Sequence, residues 1–129
     1  MRISDRMTPN PTTVGPKDTL RKAKALMDAG GFRRLPVVEN DQLVGILSER
    51  DLRQHLGYLD TTRVNAAMTA SPMTVTPHSS VEDAARLMLE HKVGGLPVVQ
   101  EGKLVGMVTT SDMLHALLDV IQAQETANG

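Results

Sequence analysis

Apolar and polar residues follow one another along this chain in an order that occurs twice. Two segments carry apolar residues at the three- and four-residue spacing of an amphipathic helix, namely Leu20, Ala23, Leu26 and Met27, and Val81, Ala84, Leu87 and Met88. Each segment is followed by two short, almost wholly apolar runs with a polar turn between them, which is typical of a β-hairpin of buried strands. These runs are residues 35–38 and 43–47, then 96–99 and 104–108. A further helix is predicted to begin near Ser48 and, in the later copy, near Thr109.

The two copies are related by a constant offset of 61 residues. Residues 7–52 align with residues 68–113 without a gap, and seventeen of these 46 positions are identical. A short β-branched strand is predicted ahead of the first helix of each copy, at residues 11–14 and 72–75, so each unit is predicted to be β-α-β-β-α. The duplication predicts an α/β (α+β) fold in which two similar units pack about a pseudo-twofold axis and form two related clefts.

The repeat also sets the expected boundaries of the units. We expect a first unit with a short lead-in over residues 1–59, a linker with a second lead-in over 60–68, a second unit over 69–122 and a frayed polar tail over 123–129. Asp18 is the expected N-cap of the first helix, and Ser79 with Glu82 forms an expected capping box in the second copy. Gly30 and Gly31 are expected to end the first helix. Each half alone would be marginal, so the halves are expected to fold as one module.

Composition narrows the range of functions. The net charge of the 129 residues is −1, so nothing draws the chain toward nucleic acid or anionic membrane, and a nucleic-acid partner is not expected. Cysteine is absent, and the four histidines are scattered, so neither disulfides nor a metal site is expected. No leader or membrane-spanning run is apparent, which predicts a cytoplasmic protein without membrane contact. Residues 1–60 carry ten Lys and Arg against eight Asp and Glu, whereas residues 61–129 carry four against seven, so any preference for anions belongs to the first half.

Several short motifs in fixed order carry a family resemblance. Met-Thr precedes a short strand, an Ala- and Met-bearing helix follows, then Leu-Pro-Val-Val, then Leu-Val-Gly, and finally a Ser/Thr-x-x-Asp helix start. The whole order, present twice over residues 3–118, resembles the CBS domain, and two in tandem resemble a Bateman module. The resemblance implies a non-catalytic sensor that binds AMP, ADP, ATP, S-adenosylmethionine or an NAD-type compound, requires no cofactor, forms homodimers and regulates a partner protein that the sequence does not identify.

The helix-start motif pairs Ser48 with Asp51 and, in the second copy, Thr109 with Asp112. The resemblance implies that each Asp accepts hydrogen bonds from the ribose hydroxyls and that the Ser or Thr hydroxyl lies near phosphate or ribose. A carboxylate suits a vicinal diol because it has two acceptor oxygens. The same spacing is also that of a helix cap, and both roles are compatible with one helix start. The glycine of each Leu-Val-Gly motif is expected to permit close backbone approach to the ligand.

The remaining candidates follow from the resemblance and from the charge difference between the halves. Arg33, Arg34 and Arg50 are candidates for phosphate binding, although solvated surface arginine is the more common case. The base pocket is expected to involve Thr13, Phe32, Leu35, Pro36, Thr74, Val93, Gly94, Leu96 and Pro97, with Thr12 and Met73 beside them. The counterparts of the three arginines are Gly94, Gly95 and Ser111, so the two clefts are expected to differ in their affinity for phosphate. On this basis Asp51→Ala is expected to remove the stronger, phosphate-dependent binding.

Alternative functions remain open at this point. A ligand-independent dimerisation module is suggested by the apolar stripe predicted on the C-terminal helix, which comprises Met113, Leu114, Leu117, Leu118 and Ile121. Catalysis is not expected, because neither a Walker motif nor a GxGxxG motif is present.

Overall fold

Two β-hairpins form the centre of the structure, a computed structural model that describes residues 1–128. In chain order the strands and helices are β1 (Thr8–Pro9), α1 (Leu20–Gly30), β2 (Arg34–Glu39), β3 (Gln42–Ser48), α2 (Glu49–Arg53), α3 (Val64–Ala67), β4 (Thr69–Ala70), α4 (Val81–His91), β5 (Gly95–Gln100), β6 (Lys103–Thr109) and α5 (Thr110–Asn128). Short 3-10 helices cover Ile3–Asp5 and Leu56–Tyr58.

Both predicted hairpins are confirmed. β2 pairs antiparallel with β3, and β5 pairs antiparallel with β6. Each turn has two central residues with positive φ, Asn40 and Asp41 in the first hairpin and Glu101 and Gly102 in the second, as a tight two-residue hairpin turn requires. In place of the short strands predicted at residues 11–14 and 72–75, the structure has one isolated parallel bridge in each unit. A longer ladder does not form because prolines stand on both sides of each bridge and have no N–H to donate.

A pseudo-twofold axis runs between the two hairpins. Residues that contact their own copy, 61 positions away, must lie on such an axis. Gln42 pairs with Lys103, which joins β3 to β6. The side chain of Arg34 lies against the backbone of Gly95, so close that a Cβ on this glycine would be 2.6 Å from Arg34 Cδ. These two contacts confirm the predicted arrangement of two similar units about an approximate twofold axis.

The helix caps lie one residue later than predicted in both units. Thr19 and Ser80 cap α1 and α4 by accepting a hydrogen bond from a backbone N–H of the first turn. Asp18 instead closes the preceding turn, where its carboxylate accepts from the N–H of Gly15 at 2.8 Å, and the hydroxyl of Ser79 does the same in the second unit. The polar side chain just before each cap therefore accepts a hydrogen bond within the preceding turn and does not cap the helix.

The two short lead-ins cross between the units, which the repeat alone did not reveal. Ile3 is fully buried in the hydrophobic core of the second unit, and its N–H donates to Ser79 O at 2.8 Å. The strand that follows, β1, pairs with β6 of the second unit. Val64 of the later lead-in is buried in the core of the first unit, and β4 pairs with β3. The unit boundaries remain a prediction, but the crossing ties the two units into one module.

A methionine of each crossed lead-in packs on the glycine of a Leu-Val-Gly motif. A Cβ placed on Gly106 would lie 2.5 Å from Met7 Sδ, and one placed on Gly45 would lie 2.5 Å from Met68 Sδ. The group that approaches these glycines closely is therefore a methionine side chain of the other unit's lead-in. The lead-in fills the space on the Cβ side of both glycines, and their approach to a ligand remains a prediction.

The Met68–Gly45 contact leads to a stability prediction. In Gly45→Ala the new methyl group would also lie 2.9 Å from the backbone oxygen of Thr69, which a rotamer change cannot relieve. We expect the free energy of unfolding to fall by about 1–3 kcal/mol, the usual cost of overpacking. Urea unfolding would measure it, with Gly57→Ala as control because nothing lies within 4 Å of a Cβ at that position. Equal stability of the two variants would contradict the packing described.

The C-terminal helix α5 is longer than predicted. The sequence suggested a frayed tail over residues 123–129, whereas α5 runs for 19 residues to Asn128. The helix continues to that residue because Ala, Gln and Glu dominate the segment and favour helix even when it is polar on all sides, and the fraying of the tail remains a prediction. Gly129 lies outside the described residues. Across residues 1–128, none of the helices combines the length and the apolar character needed to cross a membrane.

Candidate ligand-binding cleft

A cleft of about 490 Å³ lies between the two units, within the size range of small-molecule sites. The first unit contributes the loop from α1 to β2 and the start of β2, with Phe32, Arg33, Arg34 and Pro36. The segment after β1 adds Asn10, Pro11 and Thr12 beside Thr8. The second unit contributes the end of β6 and the start of α5, with Met107, Thr109, Thr110 and Ser111, and also Gly94. Ligand bound here would contact both units.

The cleft brings together part of the predicted site. Of the candidate residues, Phe32, Arg33, Arg34, Pro36, Gly94 and Thr109 line it, and so does Thr12. Sequence reasoning missed Thr8, Asn10, Pro11, Gly31, Met107 and Thr110, and it gave Ser111 only as the weaker counterpart of Arg50. Thr8 belongs to the repeated Met-Thr motif and Thr110 lies inside the Thr-x-x-Asp motif, so position within a repeated motif was the available signal for these two residues.

The other candidates lie outside the lining of this cleft. Leu35 and Leu96 are buried in the two cores with about 1% of their surface exposed, and Pro97 is fully buried beside Leu96. Thr13, Val93 and Arg50 are exposed, and Thr74 is half-buried. Ser48 and Asp51 lie at the start of α2, and Asp112 lies in the first turn of α5, just beyond Thr109.

Arg34 reaches across the pseudo-twofold axis. Its guanidinium Nη2 would be 2.6 Å from a Cβ on Gly94, and its Cδ approaches Gly95 equally closely. Because the two positions that meet Arg34 are glycines, the second unit leaves the space that this long side chain needs. The same contact half-buries Arg34. Burial, and then the like charge of Arg33, lower the pKa of Arg34 from its ordinary value, yet an arginine remains charged at neutral pH.

The adjacent arginines carry positive charge that the protein does not neutralise. The ion pairs formed among residues 1–128 include neither Arg33 nor Arg34. The N-terminus of α5 forms the opposite wall of the cleft, and the helix dipole favours negative charge there. Two cations and a helix N-terminus around one cleft favour an anionic ligand group such as phosphate.

The two Ser/Thr-x-x-Asp motifs are helix caps in the structure. Asp51 Oδ2 accepts hydrogen bonds from the backbone N–H of Ser48 at 2.8 Å and from its hydroxyl at 2.9 Å. Asp112 Oδ2 accepts from Thr109 in the same way, at 2.8 Å and 3.2 Å. All four bonds use Oδ2, and none of the hydrogen bonds found within residues 1–128 ends on either Oδ1. One carboxylate oxygen of each Asp is therefore available for a ligand hydroxyl, and the ribose role remains a prediction.

The cleft combines candidate residues of the first unit with candidate residues of the second. Sequence reasoning placed Arg33 and Arg34 in the same site as Asp51, because all three belong to the first unit. The cleft instead joins these arginines to Thr109 of the second unit, beside Asp112. The physical reason is the axis: the start of β2 meets its own copy there, and the crossed lead-in adds the segment from Thr8 onward to β6.

Metal ligands do not cluster in the part of the chain that the structure describes. Over residues 1–128, no group of three or more His, Asp or Glu side chains is placed to hold a metal ion.

Two β-α-β-β-α units packed about a pseudo-twofold axis, with a cleft between them, define a tandem pair of CBS domains. The chain belongs to this family, since the family model "CBS domain" matches it twice, over residues 3–58 and 64–119. The resemblance noted in the sequence is thereby confirmed.

Known proteins similar to this chain include both whole modules and parts of enzymes. A CBS domain-containing protein of Dictyostelium discoideum is 36% identical over 135 residues, which covers 93% of each protein. CBSX2, a CBS-pair protein from Arabidopsis thaliana with a crystal structure in complex with AMP, is 32% identical in sequence to this chain. The two structures agree with a TM-score of 0.83, and the match covers 92% of this chain and 97% of that one. Inosine-5′-monophosphate dehydrogenase of Korarchaeum cryptofilum is 36% identical over 104 residues, which cover 80% of this chain but only 21% of that enzyme.

Proposed function

We propose that this chain is a non-catalytic regulatory module that binds an adenosine-containing ligand of the AMP, ADP, ATP, S-adenosylmethionine or NAD type in the cleft between its units. The observation that carries the proposal is the unneutralised pair Arg33 and Arg34, which faces the start of α5 across a cleft of small-molecule size. The AMP complex of CBSX2, a relative of nearly the same length, supports it.

Each part of such a ligand has a suitable group in or beside the cleft. A phosphate would accept charge-assisted hydrogen bonds from Arg33 and Arg34. A ribose hydroxyl would donate to Asp112 Oδ1, beside Thr109. Phe32, which is partly exposed at the cleft, offers an aromatic face on which a purine can stack.

The ligand would act by holding the two units in one arrangement. Because the walls of the cleft come from different units, a bound ligand favours the arrangement in which both walls contact it. This shift would alter the activity of a regulated partner protein or the assembly of a homodimer. A nucleic-acid partner is not proposed, because the net charge of −1 provides no broad basic surface.

Titration calorimetry with AMP, ADP, ATP, S-adenosylmethionine and NAD tests the proposal. We expect saturable binding of at least one of them, with nucleotides preferred over adenosine because of the two arginines. The absence of heat and of thermal stabilisation at about 1 mM of every compound would overturn it, since that limit corresponds to only about −4 kcal/mol of binding energy.

Because the cleft joins the arginines of the first unit to the helix start of the second, we expect Asp112 and not Asp51 to contact its ligand. We expect Asp112→Ala to weaken AMP binding by about 10- to 100-fold, the loss of one or two hydrogen bonds to a charged group. Asp51→Ala should have little effect on this cleft. The two variants are a matched pair, because each removes an equivalent cap with bonds of 2.8 Å to the backbone and similar cost in stability. Calorimetry distinguishes them, and a larger loss from Asp51→Ala would restore the expectation from sequence.

A ligand-independent dimerisation module is the second candidate. It is favoured by the exposed leucines of α5, which no other part of residues 1–128 covers. A dimer whose dissociation constant does not change with any adenosine compound would favour this function, and a monomer at all concentrations would exclude it.

A further inference from the structure

Two methionines hold the short strands that follow the crossed lead-ins. Met7 directly precedes β1, and Met68 directly precedes β4. Each of these strands has two residues and forms only two residue pairs with its partner strand. Each methionine side chain packs on the core of the other unit, with its Sδ atom against the glycine of a Leu-Val-Gly motif. A two-residue ladder is weak by itself, so the methionine contact contributes much of the attachment of each strand.

The contact at Met7 suits a thioether and not a more polar group. Met7 Sδ lies so close to Gly106 that a Cβ on this glycine would be 2.5 Å away. An oxygen atom added to this sulfur would meet the backbone if it pointed to the glycine. It would be a buried acceptor without a donor if it pointed to the apolar core. Oxidation of Met7 therefore favours conformations in which the side chain leaves the contact and reaches water.

The eight methionines of the chain differ in their access to solvent. Three are buried with at most 6% of their surface exposed, four are half-buried, and Met1 is 53% exposed. The buried ones are Met27, Met88 and Met107, and the half-buried ones are Met7, Met68, Met73 and Met113. The chain has no cysteine, so its thioethers are the sulfur atoms that an oxidant can attack. A small oxidant in water therefore has access to Met7 in the folded protein.

The strand that Met7 holds leads directly into a wall of the cleft. The segment from β1 onward contributes the lining residues Thr8, Asn10, Pro11 and Thr12. Asn10 is attached to β6 by its backbone N–H, which donates to Val105 O at 3.3 Å. The equivalent segment after Met68, residues 69–73, does not line this cleft. The two methionines thus share one kind of packing and differ in whether the strand beside them reaches the cleft.

We propose that Met7 is a site of reversible oxidation, with a peroxide as the oxidant, and that its sulfoxide opens the cleft by releasing β1. A lone pair of Sδ attacks one oxygen of hydrogen peroxide, so an S–O bond forms while the O–O bond breaks. The hydroxide that leaves takes up the remaining proton and becomes water. The thioether is oxidised by two electrons, and the peroxide is reduced by two. A methionine sulfoxide reductase, with a dithiol as electron donor, restores the thioether.

Release of β1 lowers the affinity of the cleft for its ligand. Local opening of so short a strand requires little free energy, so the sulfoxide is enough to make the open form the major one. A cleft that is closed in about a tenth of the molecules binds its ligand about tenfold more weakly. This consequence rests on the ligand-binding function proposed above, whereas the oxidation of Met7 and the release of β1 do not depend on it.

Glutamine substitutions imitate the sulfoxide without an oxidant, because glutamine is unbranched like methionine and carries a polar group near the end of its side chain. We expect Met7→Gln to weaken AMP binding about tenfold. Met68→Gln loses an equivalent contact in the other lead-in, and it should change the AMP affinity by less than about twofold. Calorimetry measures both affinities. An equal loss from the two variants would overturn the link between Met7 and the cleft.

Peroxide treatment tests the modification itself. Wild type, Met7→Leu and Met68→Leu are treated with hydrogen peroxide, and peptide mass spectrometry measures the sulfoxide at each methionine. Leucine has a similar volume and cannot be oxidised. We expect wild type and Met68→Leu to lose AMP affinity about tenfold, Met7→Leu to keep it, and reductase treatment to restore wild type. Affinity lost equally by Met7→Leu, or an unoxidised Met7 in protein whose Met1 is fully converted, would overturn the proposal.

Amide hydrogen exchange gives a readout that needs no ligand. Asn10 and Ser71 are equivalent reporters, since each N–H donates to a backbone oxygen of the sheet at 3.3 Å. Oxidation should accelerate exchange at Asn10 about tenfold in wild type and leave it unchanged in Met7→Leu, in which only Ser71 responds. If reduced wild type does not bind AMP, the ligand-binding function fails, and exchange at Asn10 still decides the role of Met7. Unchanged exchange at Asn10 after Met7 has been oxidised would show that the sulfoxide does not release β1.

Discussion

Replacing Arg33 and Arg34 together by glutamine is expected to weaken AMP binding by roughly 1,000-fold while leaving the affinity for adenosine almost unchanged. Hydrogen bonds to a charged group contribute about 1.5–3 kcal/mol each, and the variant removes two such donors from the phosphate. Adenosine has no phosphate, so the same substitutions remove nothing that it uses. Glutamine keeps most of the side-chain length, which limits the change in packing over Gly94 and Gly95.

Arg50→Gln is the matched control for this prediction. Arg50 carries the same charge and also lies in the first unit, but it is exposed and does not line the cleft. Its removal changes the net charge by one without removing a contact, so AMP affinity should change by less than about threefold at physiological salt, where exposed charges are largely screened. Calorimetry with AMP and adenosine on the three proteins measures both effects. An equal loss for AMP and adenosine in the double variant would mean that the arginines shape the cleft and do not bind phosphate.

Ile3→Ala is expected to lower the free energy of unfolding of the whole module by about 2–5 kcal/mol. The neighbours of Ile3, residues 1–2 and 4–5, are exposed, and the truncation of an exposed side chain usually costs little. Here its side chain is fully buried in the core of the second unit with Val75, Leu96 and Val98, although it belongs to the lead-in of the first repeat. Removing it leaves a cavity between the crossed lead-in and the sheet.

Urea unfolding measures this effect, with Ser4→Ala as control. Ser4 is exposed, and its contact with Pro77 uses only the backbone N–H, which alanine retains. Its stability should therefore remain within about 0.5 kcal/mol of the wild type. Because the lead-in crosses between units, Ile3→Ala should shift a single cooperative transition. Two separate transitions, or no change in stability, would show that the lead-in does not tie the units together.

The elements of the fold were largely predictable because the signals are local. Helical spacing gave α1 and α4, and paired apolar runs around a turn gave both hairpins. The caps were displaced by one residue because two adjacent polar side chains divide the work: Asp18 accepts from Gly15 N–H in the turn, and Thr19 accepts from Lys22 N–H at the helix start. The crossing of the lead-ins was not predictable in the same way. Residues 1–9 contain too few apolar positions to specify which of two similar cores they enter.

The lining of the cleft was predictable in part from the sequence, but its combination of residues from two units was not. Phe32, Arg33 and Arg34 were identified from their place before Leu-Pro-Val-Val, and Thr109 from its motif. Which unit's arginines meet which unit's helix depends on the packing of the two units, for which a single sequence carries no direct signal. One clue was available in the repeat: Arg34 has Gly95 as its counterpart, so a long side chain and an empty position meet at the axis.

Binding of the ligand between the basic loop of the first unit and the helix start of the second is tested most directly by amide chemical-shift mapping of the protein during titration with AMP. We predict the largest shift changes at Arg33, Arg34, Thr110 and Ser111, with small changes at the start of α2. Changes centred on Ser48 and Asp51, or no saturable change at all, would contradict it.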